Sequence, residues 1–110
     1  MILSDTTMIS LFKEATPVSG PLSIANVYCC DLLSNAMIKA PKESAWVTVI
    51  ANTNTLAVAE YAEVSCIILA EGVTFNEDDL LIAKKRNIRV FYSDLPVFET
   101  ALLIHEMLES

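Results

Sequence analysis

A chain of 110 residues with fourteen acids against seven Lys and Arg has a formal net charge of −7 and a single basic run, Lys84-Lys85-Arg86, which makes nucleic acid and anionic membrane surfaces poor partners. That length makes a single domain, 1–110, burying roughly 65% of its unfolded surface, so neither metal nor disulfide is needed to hold it. The apolar fraction of 54% exceeds the usual ~45–50% and points to a sheet covered on both faces, to a surface handed to a partner, or to both.

Met1, Ile2 and Leu3 are apolar, but no basic segment and no long apolar run follows, which argues against a secretory signal and a membrane span. Three cysteines form an odd set: Cys29 and Cys30 are vicinal and Cys66 lies inside an apolar run. This is the usage of reduced thiols in a cytoplasmic protein.

Ser4, Asp5, Thr6 and Thr7 offer caps ahead of Met8, Ile9, Leu11 and Phe12, whose spacing predicts a short helix. Thr16-Pro17-Val18-Ser19-Gly20-Pro21 is a turn-rich connector. Residues 24–30 read as the first core strand, Asp31 as the N-cap of a helix over 31–39, and Ala40-Pro41 as its end. Trp46-Val47-Thr48-Val49-Ile50 is β-branched and aromatic, as strands prefer. Asn52-Thr53-Asn54-Thr55 caps an alanine-rich helix over 56–62, and 64–70 is a continuous apolar run of the kind buried on both faces. Asn76 caps a helix reaching about Asn87, with Glu77, Asp78 and Asp79 in its first turn and Lys84, Lys85 and Arg86 in its last, complementing the helix dipole. A fourth strand spans 88–92, and Ser93-Asp94 caps the last helix, with Pro96 in its first turn.

Four strands alternating with four helices predict an α/β fold: a three-layer domain with a mostly parallel sheet. In such sheets ligands bind outside the carboxyl ends of the strands. The candidate ligand residues there are Asp31, Ser34, Asn35, Asn52, Asn54, Thr55, Ser93 and Asp94. Amides and hydroxyls of this kind orient a small ligand, and they also serve as helix caps and Asx-turns.

Catalytic signatures are weak. Cys29-Cys30-Asp31 at a helix start is where a thiolate could be stabilised for phosphoryl transfer. No glycine-rich phosphate loop follows, however, and no arginine lies five residues beyond either cysteine. His105 is the only histidine, so neither a metal site nor a Ser-His-Asp arrangement with Ser34 or Ser93 has support. On a helical wheel His105 joins Val97, Phe98, Ala101, Ile104 and Leu108 on a sheet-covering side, while Leu103 and Met107 fall beside an acidic stripe of Glu99 and Glu106. Leu103 and Met107 are therefore the expected contact residues of a homodimer. The acidic run Glu77-Asp78-Asp79 reads as a solvated helix start.

Cys30-Asp31-Leu32-Leu33-Ser34-Asn35-Ala36-Met37, the Trp46 strand, Asn54 followed by Ala57-Val58-Ala59, and Ser93-Asp94-Leu95-Pro96-Val97-Phe98-Glu99 together resemble the DRTGG domain family. These are small α/β modules found also within regulatory proteins such as CBS-domain-containing pyrophosphatases. The likeness spans about 11–108, although the stretch where the naming motif would fall reads Leu22-Ser23-Ile24-Ala25-Asn26-Val27 and has neither glycine. The resemblance implies a non-catalytic regulatory module that forms homodimers and uses no cofactor. It leaves room for a small-molecule or nucleotide ligand or a protein partner. A phosphocysteine carrier and a pure interaction domain are the rival expectations.

Overall fold

The computed structural model describes residues 2–16 and 20–110, so Met1 and the connector residues Pro17, Val18 and Ser19 lie outside the described residues. In chain order the elements are α1 (Asp5–Leu11), β1 (Lys13–Glu14), β2 (Asn26–Cys29), α2 (Leu33–Lys39), β3 (Ser44–Thr48), α3 (Thr53–Ala62), β4 (Cys66–Leu69), α4 (Glu77–Lys85), β5 (Val90–Tyr92) and α5 (Val97–Glu109). The domain is α/β with one mixed sheet in the order β1-β5-β4-β3-β2. Strands β2 to β5 run parallel, and β1 pairs antiparallel with β5, Lys13 opposite Tyr92 and Glu14 opposite Phe91.

The topology fixes the layers. Each step from β2 to β5 moves one place in the same direction, and right-handed crossovers then put α2, α3 and α4 on one face. Side chains alternate across the sheet accordingly. Trp46, Ile67, Leu69 and Val90 meet Ala36, Leu56, Val58, Ala59 and Ala83 on that face. Ala45, Val47, Cys66, Ile68 and Phe91 meet Met8, Phe12 and Ile104 on the other, under α1 and α5. Double coverage buries every residue of β3 and β4 and explains why β4 is apolar throughout. No helix among the described residues is long and apolar enough to cross a membrane.

Several sequence expectations are corrected. The sheet has a fifth strand, β1, too short to announce itself by periodicity. The expected first core strand is an edge strand of four residues, exposed at both ends and half-buried between, and Ile24 before it bridges Leu3 instead of continuing the ladder. Ser4 occupies the N-cap of α1 without a side-chain cap bond. Asn52 and Asn76 do cap α3 and α4, accepting from the N–H groups of Thr55 and Asp79. The acidic start of α4 is not wholly solvated, because Asp79 is buried and accepts from the Thr53 hydroxyl at 2.7 Å.

The last helix is rotated from its expected phase. Val97, Ala101, Ile104 and Leu108 face the core as expected, and so does Leu103. Phe98 is 69% exposed and His105 is exposed beside Glu109. Leu103 is therefore unavailable as an exposed dimer contact, while Met107 remains at the surface.

Candidate functional site: the carboxyl edge of the sheet

The residues after β2 and β3 form one cluster. Asp31 does not cap α2, whose N-cap position is Leu32. Its Oδ1 instead accepts from Thr48 Oγ1 at 2.7 Å and from the Val49 N–H at 3.0 Å. Thr48 Oγ1 in turn accepts from the Ile50 N–H. One carboxylate thus ties the ends of two neighbouring strands and satisfies backbone groups that lie past the ladder. The Trp46 indole N–H donates to the Cys30 carbonyl at 3.0 Å, fixing the same corner from the core side.

Cys30 is held within this corner. Its thiol donates to the Leu32 carbonyl, and Asn35 Nδ2 donates to its sulfur at 3.7 Å. Burial first, then the neighbouring Asp31 carboxylate, pushes the Cys29 thiol above its ordinary value. Cys66, fully enclosed in β4, is pushed up to about 12 by burial. Neither environment favours a thiolate, the species needed for nucleophilic phosphoryl transfer.

Around the start of α3, Asn52 Oδ1 accepts from the Thr55 N–H, and Thr55 Oγ1 donates to the Ile50 carbonyl at 2.7 Å. Thr55 is fully buried, whereas Asn52 and Asn54 are exposed, as is Ser34 on α2. Since β2 and β3 are adjacent, Asp31, Ser34, Asn35, Asn52, Asn54 and Thr55 lie on one part of the edge.

Ser93 and Asp94 do not join them. They follow β5, three strand spacings from β2, or about 14 Å. Ser93 is not a cap either: Pro96 holds that position, and the Ser93 hydroxyl lies 2.8 Å from Thr100 Oγ1 and accepts from the Leu95 N–H. Here the loops leaving β4 and β5 turn to opposite faces, the arrangement that opens a crevice in doubly wound sheets. The crevice is stitched shut: the Glu71 N–H donates to the Leu95 carbonyl at 2.8 Å and the Gly72 N–H to the Ser93 carbonyl at 3.0 Å. Gly72 takes φ +75°, a conformation that favours glycine.

Sequence reasoning missed a polar feature at the opposite edge. Arg89 is buried, its Nη2 3.0 Å from Glu14 Oε2, its Nη1 donating to the Gly20 carbonyl, and its guanidinium 6.0 Å from the centre of the Phe91 ring. It borders a cavity of about 240 Å³ with Ser65 and Asn87. An arginine inside the run Ile88-Arg89-Val90-Phe91 is the one signal that could have found it.

No protein-family model matches the chain, and the comparison with curated proteins gives no significant match.

Proposed function

We propose that the chain is a non-catalytic regulatory module of the DRTGG kind, a cytoplasmic homodimer that senses a small molecule. The observation that carries this reading is the use the fold makes of its side chains. The polar groups after the strands are engaged in structural bonds, through Asp31 to Thr48, Asn52 to Thr55 and Ser93 to Thr100. Large apolar groups, by contrast, stay at the surface, among them Ile38 at 80%, Phe98 at 69% and Leu81 at 62%. Scattered apolar residues are ordinary on a surface, but Leu95, Phe98 and Leu102 succeed one another on and just before a single helix. A module built this way acts through surfaces rather than through a nucleophile. The phosphocysteine carrier would use Cys29 or Cys30, and the raised thiol pKa of Cys29 weighs against it there.

The ligand edge in this reading is the α2–α3 corner, where Ser34, Asn52 and Asn54 are exposed beside the Asp31 carboxylate. The test combines sedimentation velocity over a wide concentration range with a thermal-shift screen of nucleotides and metabolites. A reversible dimer and a saturable rise in Tm with one ligand class, abolished by Asn54→Ala together with Ser34→Ala, is the expected result. A monomer at every concentration with no thermal response refutes it.

A further inference from the structure

We propose that self-association runs through α4, two copies packing antiparallel about a two-fold axis at Leu81, with Lys84 and Lys85 of each set against Glu77 and Asp78 of the other. This rests on the self-association reading above and specifies its surface.

The outer face of α4 is a single stripe. At about 100° per residue, Glu77, Leu81, Lys84 and Lys85 fall on one side of the helix and Asp78 borders them. All five are exposed, Leu81 at 62%, while Asp79 and Ala83 on the opposite side are buried. The charges of the stripe have no partner of their own. Opposite charges meet on a helix when three or four positions apart, and at those positions both the lysines and the acids find only Leu80, Leu81 and Ile82. Acids and lysines lie six to eight positions apart, about 9–12 Å along the axis. Among the described residues none of the four enters an ion pair, and Arg86, next in the run, is taken by Glu60 at 3.7 Å.

A second copy supplies the missing partners. Glu77 and Lys85 lie equally far from Leu81, as do Asp78 and Lys84. Reversing the helix about Leu81 therefore sets Glu77 opposite the partner's Lys85 and Asp78 opposite the partner's Lys84, and the two-fold axis repeats both pairs. The antiparallel arrangement also puts the positive end of one helix dipole beside the negative end of the other. Two acids and two lysines cancel, so the stripe is neutral and lets a chain of net charge −7 approach itself. An acidic helix from another protein would be repelled at Glu77 and Asp78, and a basic one at Lys84 and Lys85. The order acid, leucine, lysine thus selects a second copy.

The shape agrees with the charge. Leu81 stands between two surface depressions, one of about 490 Å³ lined by Leu81, Ile82, Lys84 and Lys85 and one of about 210 Å³ lined by Glu77, Leu80, Leu81 and Lys84. Paired helices pack ridges into grooves at an interaxial distance of about 8–10 Å, and these depressions receive the partner's Leu81. The outer face of α5 exposes Phe98 at 69% and Leu102 at 39%, but it is not self-complementary. Its exposed acids are Glu99, Glu106 and Glu109, and its one basic group, His105, already lies beside Glu109. Two copies of that face would bring carboxylates together.

The experiment is sedimentation equilibrium on the full chain and its variants, with folding checked by circular dichroism. Lys84→Glu with Lys85→Glu makes the stripe wholly acidic, and Glu77→Lys with Asp78→Lys makes it wholly basic. Each double change raises the dimer Kd by about 10-fold or more. Mixed in equal amounts, the two variants pair with each other and association returns, which damage to either fold would not produce. Leu81→Cys, combined with Cys29→Ser and Cys30→Ser, yields a disulfide-linked dimer under mild oxidation. Leu81 is exposed, so this arm decides the matter where a charge-reversed chain fails to fold. A dimer indifferent to both reversals, reversed variants that do not recover on mixing, or a dimeric chain without the Leu81→Cys cross-link overturns this surface and leaves self-association standing. A monomer at all concentrations overturns both.

Discussion

The ion pair between Arg89 and Glu14 should be asymmetric in its energetics, and the asymmetry can be worked from burial. The Arg89 side chain is 7% exposed and the Glu14 side chain 23%. Removing one member of a buried pair costs about 3–5 kcal/mol because the other charge is left without compensation. In Glu14→Gln the stranded charge is the guanidinium, which is only 7% exposed and already has a Nε with no partner. In Arg89→Met the stranded charge is a carboxylate on a two-residue edge strand, free to turn toward solvent. We expect Glu14→Gln to cost about 3 kcal/mol and Arg89→Met about 1–2 kcal/mol, the methionine keeping contact with Phe91. Urea denaturation at constant m measures both. For a chain of 110 residues, 3 kcal/mol corresponds to a fall in Tm of roughly 12 °C. Equal costs, or a larger cost for Arg89→Met, would show that Glu14 is held as tightly as its partner and would refute the reasoning.

Two further outcomes follow. Asp31→Ala should destabilise by about 1–3 kcal/mol, because Thr48 Oγ1 and the Val49 N–H lose a charged acceptor, while Asp31→Asn keeps an oxygen there and costs less than half as much; equal effects in urea would mean that Asp31 makes no structural bond. Cys66 gives an alkaline signature: its folded pKa of about 12 lies above its unfolded value of 9.0, so the stability tied to the neutral thiol is complete below pH 9 and declines through the window from 9 to about 12. Over that window Cys66→Ala should flatten the pH dependence of unfolding by up to about 4 kcal/mol, and labelling of the native protein near neutral pH should modify the exposed Cys29 while sparing Cys66. Rapid native labelling of Cys66 would sink this prediction.

What the sequence by itself determined is local or periodic. The apolar run of β4, the aromatic and β-branched centre of β3, the amide caps at Asn52 and Asn76 and the alternation of strand and helix need only neighbouring residues, because a cap binds within three positions and a doubly covered strand is mostly apolar. Tertiary structure decided the rest, wherever a side chain had a choice of partners far apart in sequence. Asp31 has the chemistry of a cap, yet Thr48 and Val49, seventeen and eighteen positions away, hold it across the strand ends. β1 exists because β5 offers an edge to it, not because Lys13-Glu14 prefers to be a strand. The phase of α5 was hidden for a similar reason. Thr100 faces the core, its hydroxyl satisfied by Ser93 and the Leu95 carbonyl, so a polar residue marks the buried side and Phe98 lies out in solvent. Hydropathy assigns Thr100 and Phe98 the opposite way, since a buried hydroxyl is costly until a partner is supplied and only the fold supplies one.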